Sequence, residues 1–545
     1  MHMRLLVANA LLGGVAAQQS YANNRVPFVQ EPGHMAANFP EISGELYSPA
    51  FLQPDHVPAG FANGTSAPTS QQSLEQFLST LASRNAWMTY HNPVFTSEEG
   101  RSIPYVVLST SRSLPQTTPT MRASGNTTTN KVRVWMQGGV HGNEPAGDEA
   151  LLALLGKMDR EPGWALSILE KLDVIVLPRY NPDGSAYFQR FLATSLDPNR
   201  DHTKMASQQT MDVKALNLKF NAHVHLDCHE YGATRGLASE NKTYLPLQDN
   251  QFSAFKNPNV HADIRGLAES LFVPEVAAAL ERKNLTTSGY VVGSETEEGI
   301  RLQDFVTDTR GEVTVFLGQG LGFLSETRGI GIGDQHFKRR TTAGLTAALS
   351  VIQIAADNAE LVYETVEAAR ADFIANDQEI IVREQPRWTN VTWPFIDSET
   401  GDIAQVPVLF GNNTPPANNL TRERPEAYIF SRAWSGAAMR LRAAGLVVDE
   451  LAVDFEGEVE AYNVTEVTLA PTKYEGTALT TVNTDMSTKT MRFPAGAYWV
   501  STRQQHAAQA FVRLEPEHPD GFVTFNILPV NVGDEYQVYR ISANS

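Results

Sequence analysis

Between residues 72 and 384 the sequence alternates short apolar runs with longer segments of helical periodicity, and this alternation constrains the fold most. The apolar runs are PYVVLST, VRVWMQGGV, DVIVLP, AHVHLDCHE and GFLSETRG. Helical spacing occurs in SLEQFLSTLASRNAWM, in DEALLALLGKM and in the Ala-rich stretch from Arg339 to Ala375. Such alternation indicates helices covering a buried sheet. We therefore predict an α/β domain, with a mixed sheet flanked by helices, over residues 72–384.

A chain of 545 residues exceeds what one hydrophobic core usually supports, which indicates further units on either side. Residues 18–71 are rich in Pro, Asn, Gly and Ser, and we predict an irregular leader there. Residues 385–424 include GNNTPPANNLT and are predicted to be a linker. Alternating segments such as AYWVST and AFVRLEP then favour a second, smaller β-sandwich-like domain over residues 425–545.

The first 17 residues have the layout of a secretory signal, with one Arg, a short apolar run and small residues before a cut after Ala17. Eight Asn-x-Ser/Thr sequons are consistent with glycosylation on an export route; they lie at Asn63, Asn126, Asn241, Asn284, Asn390, Asn412, Asn419 and Asn463. The leader contains no dibasic processing site, so we expect it to be retained. We predict a secreted, extracellular protein without a membrane span.

The net charge limits which partners the protein can bind, and the cysteine content limits what can stabilise its fold. The net charge of -18 argues against a nucleic-acid partner, because no basic surplus is available to replace phosphate counterions. Cys228 is the only cysteine, which excludes an intramolecular disulfide. Stability must therefore come from packing. The sequence does not indicate the oligomeric state.

The segment HGNE follows directly on a predicted strand, VRVWMQGGV, and precedes a predicted helix. Ligands of open α/β sheets bind where strands end, and Gly138 and Gly139 allow a tight turn there. His141 and Glu144 can therefore converge on one metal ion. Taken alone the pair is common, and the alternative is a surface histidine beside a glutamate that favours the helix dipole.

A catalytic zinc usually takes three protein ligands, so a further donor is required. The strand AHVHLDCHE offers His223, His225 and His229, which share one face by parity. His229 is preferred because it comes last, where the strand reaches the sheet's edge, and His225 is the alternative. Any one of them, taken singly, is more commonly a partly buried, hydrogen-bonded strand histidine.

Two further segments supply a group for acid–base catalysis and side chains that can bind a carboxylate anion. Glu326 in GFLSETRG again places a carboxylate at a strand end, which suits a proton acceptor for water on zinc; a surface pair with Arg328 is the alternative. Arg190, Asn199 and Arg200 follow the turn NPDG, and the planar fork of arginine binds carboxylates bidentately. A structural salt bridge is the commoner role of a single arginine.

These segments, in this order over about residues Leu74 to Ala375, resemble the M14 zinc carboxypeptidases, in the fungal or bacterial style with an added C-terminal domain. The resemblance implies one Zn²⁺ per chain with His141, Glu144 and His229 as ligands. It implies Glu326 as general base for the zinc-activated water and Arg190 as the group that polarises the scissile carbonyl. Asn199 and Arg200 would grip the substrate's terminal carboxylate, and Asp197 would fix the tautomer of His141.

The family's mobile substrate-binding tyrosine has no clear counterpart, since Tyr290 lies upstream of Glu326 but its surroundings do not match. The residues between Leu302 and Gly322 that would choose the substrate side chain are likewise unassigned. We expect a metallocarboxypeptidase that acts on peptide or protein C-termini. The alternatives are an N-acyl amino acid deacylase or amidohydrolase on the same scaffold, resembling aspartoacylase, and a non-catalytic binding protein.

Overall fold

The computed structural model of the protein describes residues 26–111, 131–304 and 309–542. The predicted signal peptide, residues 1–17, and the sequon at Asn126 lie outside the described residues. The α-helices are α1 (Gly33–Ala36), α2 (Pro49–Leu52), α3 (Gln71–Arg84), α4 (Pro145–Arg160), α5 (Pro162–Leu169), α6 (Pro182–Tyr187), α7 (Gln208–Phe220), α8 (Ala262–Leu267), α9 (Val273–Glu281), α10 (Phe337–Asp357), α11 (Ala359–Ala375), α12 (Ser435–Ala443) and α13 (Ala507–Leu514).

The strands fall into three sheets. Those in the first part of the chain are β1 (Met88–His91), β2 (Tyr105–Leu108), β3 (Val132–Gly138), β4 (Leu172–Leu177), β5 (Val224–Gly232), β6 (Leu237–Ser239), β7 (Lys242–Pro246), β8 (Asn250–Ala254), β9 (Thr287–Ser288), β10 (Val292–Thr296), β11 (Gly299–Gln303) and β12 (Leu321–Ile330). The later strands are β13 (Ile380–Asp397), β14 (Ile403–Arg422), β15 (Ala427–Phe430), β16 (Asp449–Glu450), β17 (Phe455–Tyr474), β18 (Thr477–Phe493), β19 (Tyr498–Ser501) and β20 (Val538–Ile541).

The central sheet has the order β1-β2-β4-β3-β5-β12-β8-β9. Its middle strands, β4, β3, β5 and β12, are mutually parallel, whereas β2 and β8 pair antiparallel with them. Alternate residues of β3 face opposite sides of the sheet and belong to two hydrophobic clusters. Val134 and Met136 pack with side chains of α4 and α10, whereas Trp135 packs with Val213 and Phe220 of α7. The mixed, helix-flanked sheet predicted from the sequence is therefore confirmed.

A second sheet, of order β10-β11-β14-β13-β7-β6, includes the residues 385–424 for which we predicted a linker. Strands β13 and β14 form a long antiparallel hairpin there, and Pro386 lies at a register shift, where its missing N–H removes no regular ladder bond. One face of the sheet buries Phe395, Val406 and Val408. Long-range pairing and this burial outweigh the turn-forming composition on which the linker prediction rested.

The C-terminal strands form a third, antiparallel sheet of order β16-β19-β15-β20-β17-β18. The predicted β-rich second unit is thus present, as a single sheet. On one face Tyr428 and Phe430 join the main hydrophobic cluster together with Phe511 of α13, and on the other face Ile429 and Val459 belong to a separate cluster. Helix α13 and the main cluster occupy the place that a second sheet has in a β-sandwich.

The described part of the leader contains the short α-helices α1 and α2 and two 3-10 helices, Pro54–His56 and Ala59–Asn63, joined by irregular backbone. The Ala-rich stretch from Arg339 to Ala375 forms two helices, α10 and α11, which meet at Asn358. Among the described residues no single helix is both long and apolar enough to cross a membrane; α10 and α11 satisfy that criterion only together, and they are bent by 84°.

Candidate metal centre

The turn between β3 and α4 carries His141 and Glu144 to the carboxyl edge of the central sheet. Gly139 has φ +60°, and a Cβ on it would collide with the Asp148 side chain, so this turn requires glycine. A Cβ on Gly142 would overlap the backbone of Gly184 in α6. Two glycines therefore permit the path that presents both polar side chains at the strand end.

His141, Glu144 and His229 converge at this edge, and all three are buried. One donor atom of each lies within 4.8 Å of the others. Nδ1 of His141 is 2.7 Å from a Glu144 carboxylate oxygen, and Nδ1 of His229 is 3.0 Å from the other oxygen and 3.2 Å from Nδ1 of His141. Both imidazoles thus turn Nδ1 toward a common centre.

The opposite ring nitrogens face carboxylates. Nε2 of His141 lies 3.2 Å from Oδ1 of Asp197, and Nε2 of His229 lies 2.9 Å from Oδ2 of Asp227. A proton on Nε2 satisfies these contacts and leaves Nδ1 with a free lone pair, which is the tautomer that a metal ligand needs. Asp197 was predicted in this place, whereas Asp227 was not, although it shares a strand face with His229.

The buried charges at the centre shift one another's protonation. Burial opposes the charge of Glu144, but the imidazoles of His141 and His229 outweigh it and hold the pKa of the carboxyl below its usual range. Burial likewise opposes the charge of His229, yet the carboxylates of Asp227 and Glu144 raise its pKa well above the ordinary value. The site is an anionic pocket with ring nitrogens, which favours a cation.

The other two histidines of the segment AHVHLDCHE lie away from this centre. Nδ1 of His225 is 3.5 Å from the side-chain amide of Asn217, and its ring meets Phe316 edge-on. His223 contacts Glu367 through Nε2 at 3.1 Å. Burial lowers the pKa of both to about 3, so they are neutral core histidines. The structure places His229, and not the alternative His225, beside His141.

Glu326 stands next to the cluster because β12 pairs in parallel with β5, with Glu326 opposite His229. Its Oε2 is buried and has no hydrogen-bond partner in the part of the chain that the structure describes. Burial raises the pKa of Glu326 to about 8. The negative charge of Glu144 also raises this pKa, whereas the positive charge of His229 lowers it. This carboxyl is placed to exchange a proton within the cavity.

The predicted cationic residues also lie at the site. Arg190 donates from Nε to Oδ2 of Asp197 at 2.9 Å, and its Nη1 is 3.3 Å from Glu144. Asn199 accompanies Arg200 in the turn after Asp197, and its Nδ2 is 3.4 Å from Nε2 of His229. All the site residues predicted from the sequence are brought together, Asp197 included.

A cavity of about 580 Å³ opens from this cluster. Tyr290 lines it, although its surroundings in the sequence gave no clear assignment. Further walls come from Asp227, on the same strand as His229, and from regions without any motif in the sequence; the latter include Gln251, Trp393, Phe395, Arg310 and Tyr474. Only the strand-face position of Asp227, two residues before His229, could have been found from the sequence.

The donor set fits a zinc ion. Two imidazole nitrogens and one carboxylate are the usual protein ligands of a catalytic zinc with an open coordination position. The Nδ1 atoms and the carboxylate face one another in a buried cleft, and each ring is oriented by a second carboxylate. A hard cation such as Ca²⁺ prefers an all-oxygen ligand set, which this centre does not offer.

Comparison with known proteins identifies relatives of this chain. A family model described as zinc carboxypeptidase matches residues 74–251. Carboxypeptidase 2 of Trichophyton rubrum is 43% identical over 524 residues, which cover 96% of each chain. Carboxypeptidase 2 of Trichophyton tonsurans is 42% identical over 539 residues, or 98% of each chain. A solved metallo-carboxypeptidase from Burkholderia cenocepacia is 18% identical, covers 52% of this chain and 69% of its own, and has a TM-score of 0.37.

The similarity to the Trichophyton proteins spans nearly the whole chain, so it includes the C-terminal β-rich sheet as well as the segment matched by the family model. The resemblance first noted in HGNE and the later motifs is thereby confirmed. The chain belongs to the zinc carboxypeptidase family, and it is a metallocarboxypeptidase.

Proposed function

We propose that this enzyme releases C-terminal residues from peptides, with one Zn²⁺ per chain held by His141, Glu144 and His229. The observation that carries the proposal is the convergence of these three donors within 4.8 Å at a strand edge that also bears Glu326. A zinc ion in this position supplies Lewis-acid activation of water and of the scissile carbonyl. Side chains of the cavity transfer the proton and orient the substrate.

Glu326 is the general base in this proposal. Its unpartnered Oε2 can accept a proton from the attacking water and return it to the leaving amine. Burial disfavours its charged form, which makes it a stronger base once ionised. The positive charge of a bound metal would favour the ionised form at neutral pH.

Arginine and amide side chains orient the substrate. Arg190 lies between Asp197 and Glu144, with its side chain 30% exposed, so it can donate to the scissile carbonyl oxygen. Asn199 and Arg200 bind the terminal carboxylate and confine cleavage to chain ends. The lining of the cavity by Arg190, Asn199 and Arg200 supports this assignment.

Secretion is part of the proposal. It rests on the signal-like sequence of residues 1–17 and on the seven sequons among the described residues, whose asparagines are exposed or partly exposed. Their accessibility permits glycan attachment without disturbing the core. Mass analysis of the mature protein, before and after enzymatic deglycosylation, tests both features; an unmodified chain that keeps its first 17 residues would contradict them.

The decisive experiment combines metal analysis with product analysis. The wild type is expected to contain one zinc per chain and to release single residues from peptides with free C-termini, but not from amidated ones. Glu326→Gln should retain zinc and lose 10²- to 10⁴-fold in kcat. Glu360→Gln, an exposed position in α11, is the matched control and should behave as the wild type.

Three outcomes would contradict the proposal. Activity that survives Glu326→Gln would remove the general-base assignment. Cleavage of N-acyl amino acids in preference to peptides would indicate a deacylase on the same scaffold. A protein without zinc and without either activity would indicate a binding role.

A further inference from the structure

The C-terminal sheet reaches the active-site cavity through one element. Strands β17 and β18 extend as a long hairpin, and its tip consists of Glu475 and Gly476, both with positive φ, +48° and +79°. Tyr474, immediately before the tip, lines the cavity. The guanidinium of Arg310, which also lines the cavity, lies 5.3 Å from the centroid of the Tyr474 ring.

Glu475 contacts the turn that carries the predicted substrate-binding residues. Its Oε2 accepts a hydrogen bond from the backbone N–H of Asp197 at 2.9 Å. Lys204, on the other side of the same turn, donates to the backbone carbonyl of Glu475 at 3.1 Å. Because the Glu475 side chain is only 13% exposed, solvent cannot readily replace these bonds.

Other residues of the C-terminal unit also form hydrogen bonds and ion pairs that hold this loop. Arg440 of α12 donates to the carbonyl of Lys204, and Arg513 of α13 donates to the carbonyl of His202, each at 2.6 Å. Asp520 binds Arg310 at 2.9 Å, and the carbonyl of Arg310 accepts from the N–H of His202 at 3.0 Å. The loop after Asp197 is thus fixed by side chains that follow it by more than 200 residues.

We propose that the tip of the β17–β18 hairpin completes the substrate-binding site, with Glu475 as a positioning residue for the turn from Asp197 to Arg200. This inference rests on the proposed function, because it assigns the terminal carboxylate of a peptide to Asn199 and Arg200. The C-terminal unit then contributes to substrate affinity and is more than a packing partner. A side chain that only orients ground-state binding groups changes KM more than kcat.

The test is steady-state kinetics of Glu475→Ala in the full-length zinc enzyme, with a peptide that the wild type cleaves. Loss of one charge-assisted hydrogen bond to the turn should raise KM about tenfold and leave kcat within about twofold. Glu475→Gln, which retains an acceptor for the Asp197 N–H, should restore most of the affinity. Glu466→Ala removes an exposed carboxylate from the same hairpin and is the control.

Zinc content and melting temperature are measured for each variant, so that only folded, metal-loaded enzyme is compared. A KM for Glu475→Ala within twofold of the wild type would overturn the inference, as would equal losses in Glu475→Gln and Glu475→Ala. If Glu475→Ala does not fold, Glu475→Asp tests the same bond, since its shorter side chain cannot reach the Asp197 N–H; an unchanged KM there is likewise contradictory. A wild type that releases no C-terminal residue would instead contradict the proposed function.

Discussion

Asp227 and His229 lie on the same face of β5, and Oδ2 of Asp227 is 2.9 Å from Nε2 of His229. Oδ1 of the same carboxylate accepts from the side-chain amide of Gln137 at 3.1 Å, so Asp227 is held from two sides. The contact fixes the His229 ring with Nδ1 toward His141 and Glu144. A carboxylate in this position raises the basicity of a metal-ligating imidazole.

We expect Asp227→Ala to weaken zinc binding by 10- to 100-fold, because His229 loses the partner that sets its orientation and tautomer. Competition against a chromogenic chelator measures the affinity. Asp263→Ala, at an exposed carboxylate in α8, should bind zinc as the wild type does. Equal affinities of the wild type and Asp227→Ala would show that the contact has no influence on the metal.

Gly311 touches the predicted carboxylate-binding residue Asn199. A Cβ at position 311 would lie 2.8 Å from the Asn199 carbonyl oxygen and would collide with its side-chain oxygen. Gly311→Ala should therefore displace Asn199 and raise KM for peptides about tenfold, with a smaller effect on melting temperature. Gly163→Ala, where a Cβ meets nothing within 4 Å, is the control. An unchanged KM in Gly311→Ala would show that Asn199 does not contribute to substrate binding.

The buried carboxyl of Glu149 makes stability depend on pH. Burial raises its pKa to about 7, although Thr69 donates a hydrogen bond to it. Because the folded-state pKa lies above the unfolded value, this group stabilises the fold fully below about pH 4.5, and the contribution is lost as pH rises through about 7. The loss is on the order of 3 kcal/mol.

Glu149→Gln cannot ionise, so its free energy of unfolding should fall less between pH 5 and pH 8 than that of the wild type. Urea unfolding at several pH values measures the difference. Glu170→Gln, at an exposed residue immediately after α5, should retain the wild-type profile. Parallel profiles for the wild type and Glu149→Gln would mean that this carboxyl does not titrate in that range.

The leader is joined to the catalytic domain by a buried ion pair. Glu31 accepts from the two terminal guanidinium nitrogens of Arg328, Nη1 and Nη2, and lies 3.1 Å from Nε2 of His336. Burial opposes the Glu31 charge, but His336 and Arg328 outweigh it and lower the pKa to about 2. The pair therefore stabilises the fold above about pH 4.5, and the contribution is lost as pH falls toward 2.

Removal of Glu31 leaves Arg328 buried without its carboxylate. We expect Glu31→Ala to lower the free energy of unfolding at pH 7 by about 3 kcal/mol. Denaturant titration measures it, with Glu41→Ala, an exposed change in the same leader, as control. A loss below about 0.5 kcal/mol would indicate that the leader is not coupled to folding.

Motifs at strand ends could be predicted because each motif and the strand before it lie within one short segment of the sequence. His141 and Glu144 are three residues apart on one turn, and the periodicity of β3 and α4 around them is visible in the sequence. His229 and Glu326 come from distant segments, yet each ends an apolar run. Since the carboxyl ends of parallel strands meet at one edge, the four side chains could be assigned to one site before their distances were known.

Residues 385–424 show where local composition misleads. Asn, Pro and Thr in β13 and β14 indicate a turn-rich linker, whereas the strands form because they pair with each other and with β7 and β11 of the catalytic part. The free energy that stabilises them comes from long-range partners and from burial of Phe395 and Val406, which strand propensity does not report.

The α/β class, the order of the motifs and the types of the proposed metal ligands could be predicted from the sequence, because strand periodicity and donor types are properties of short segments. The folded chain was needed to show that Asp227 contacts His229, that Glu475 contacts the Asp197 turn and that Trp393 and Tyr474 line the cavity. These contacts join segments far apart in the chain, where geometry is set by packing and pairing, which no local pattern records.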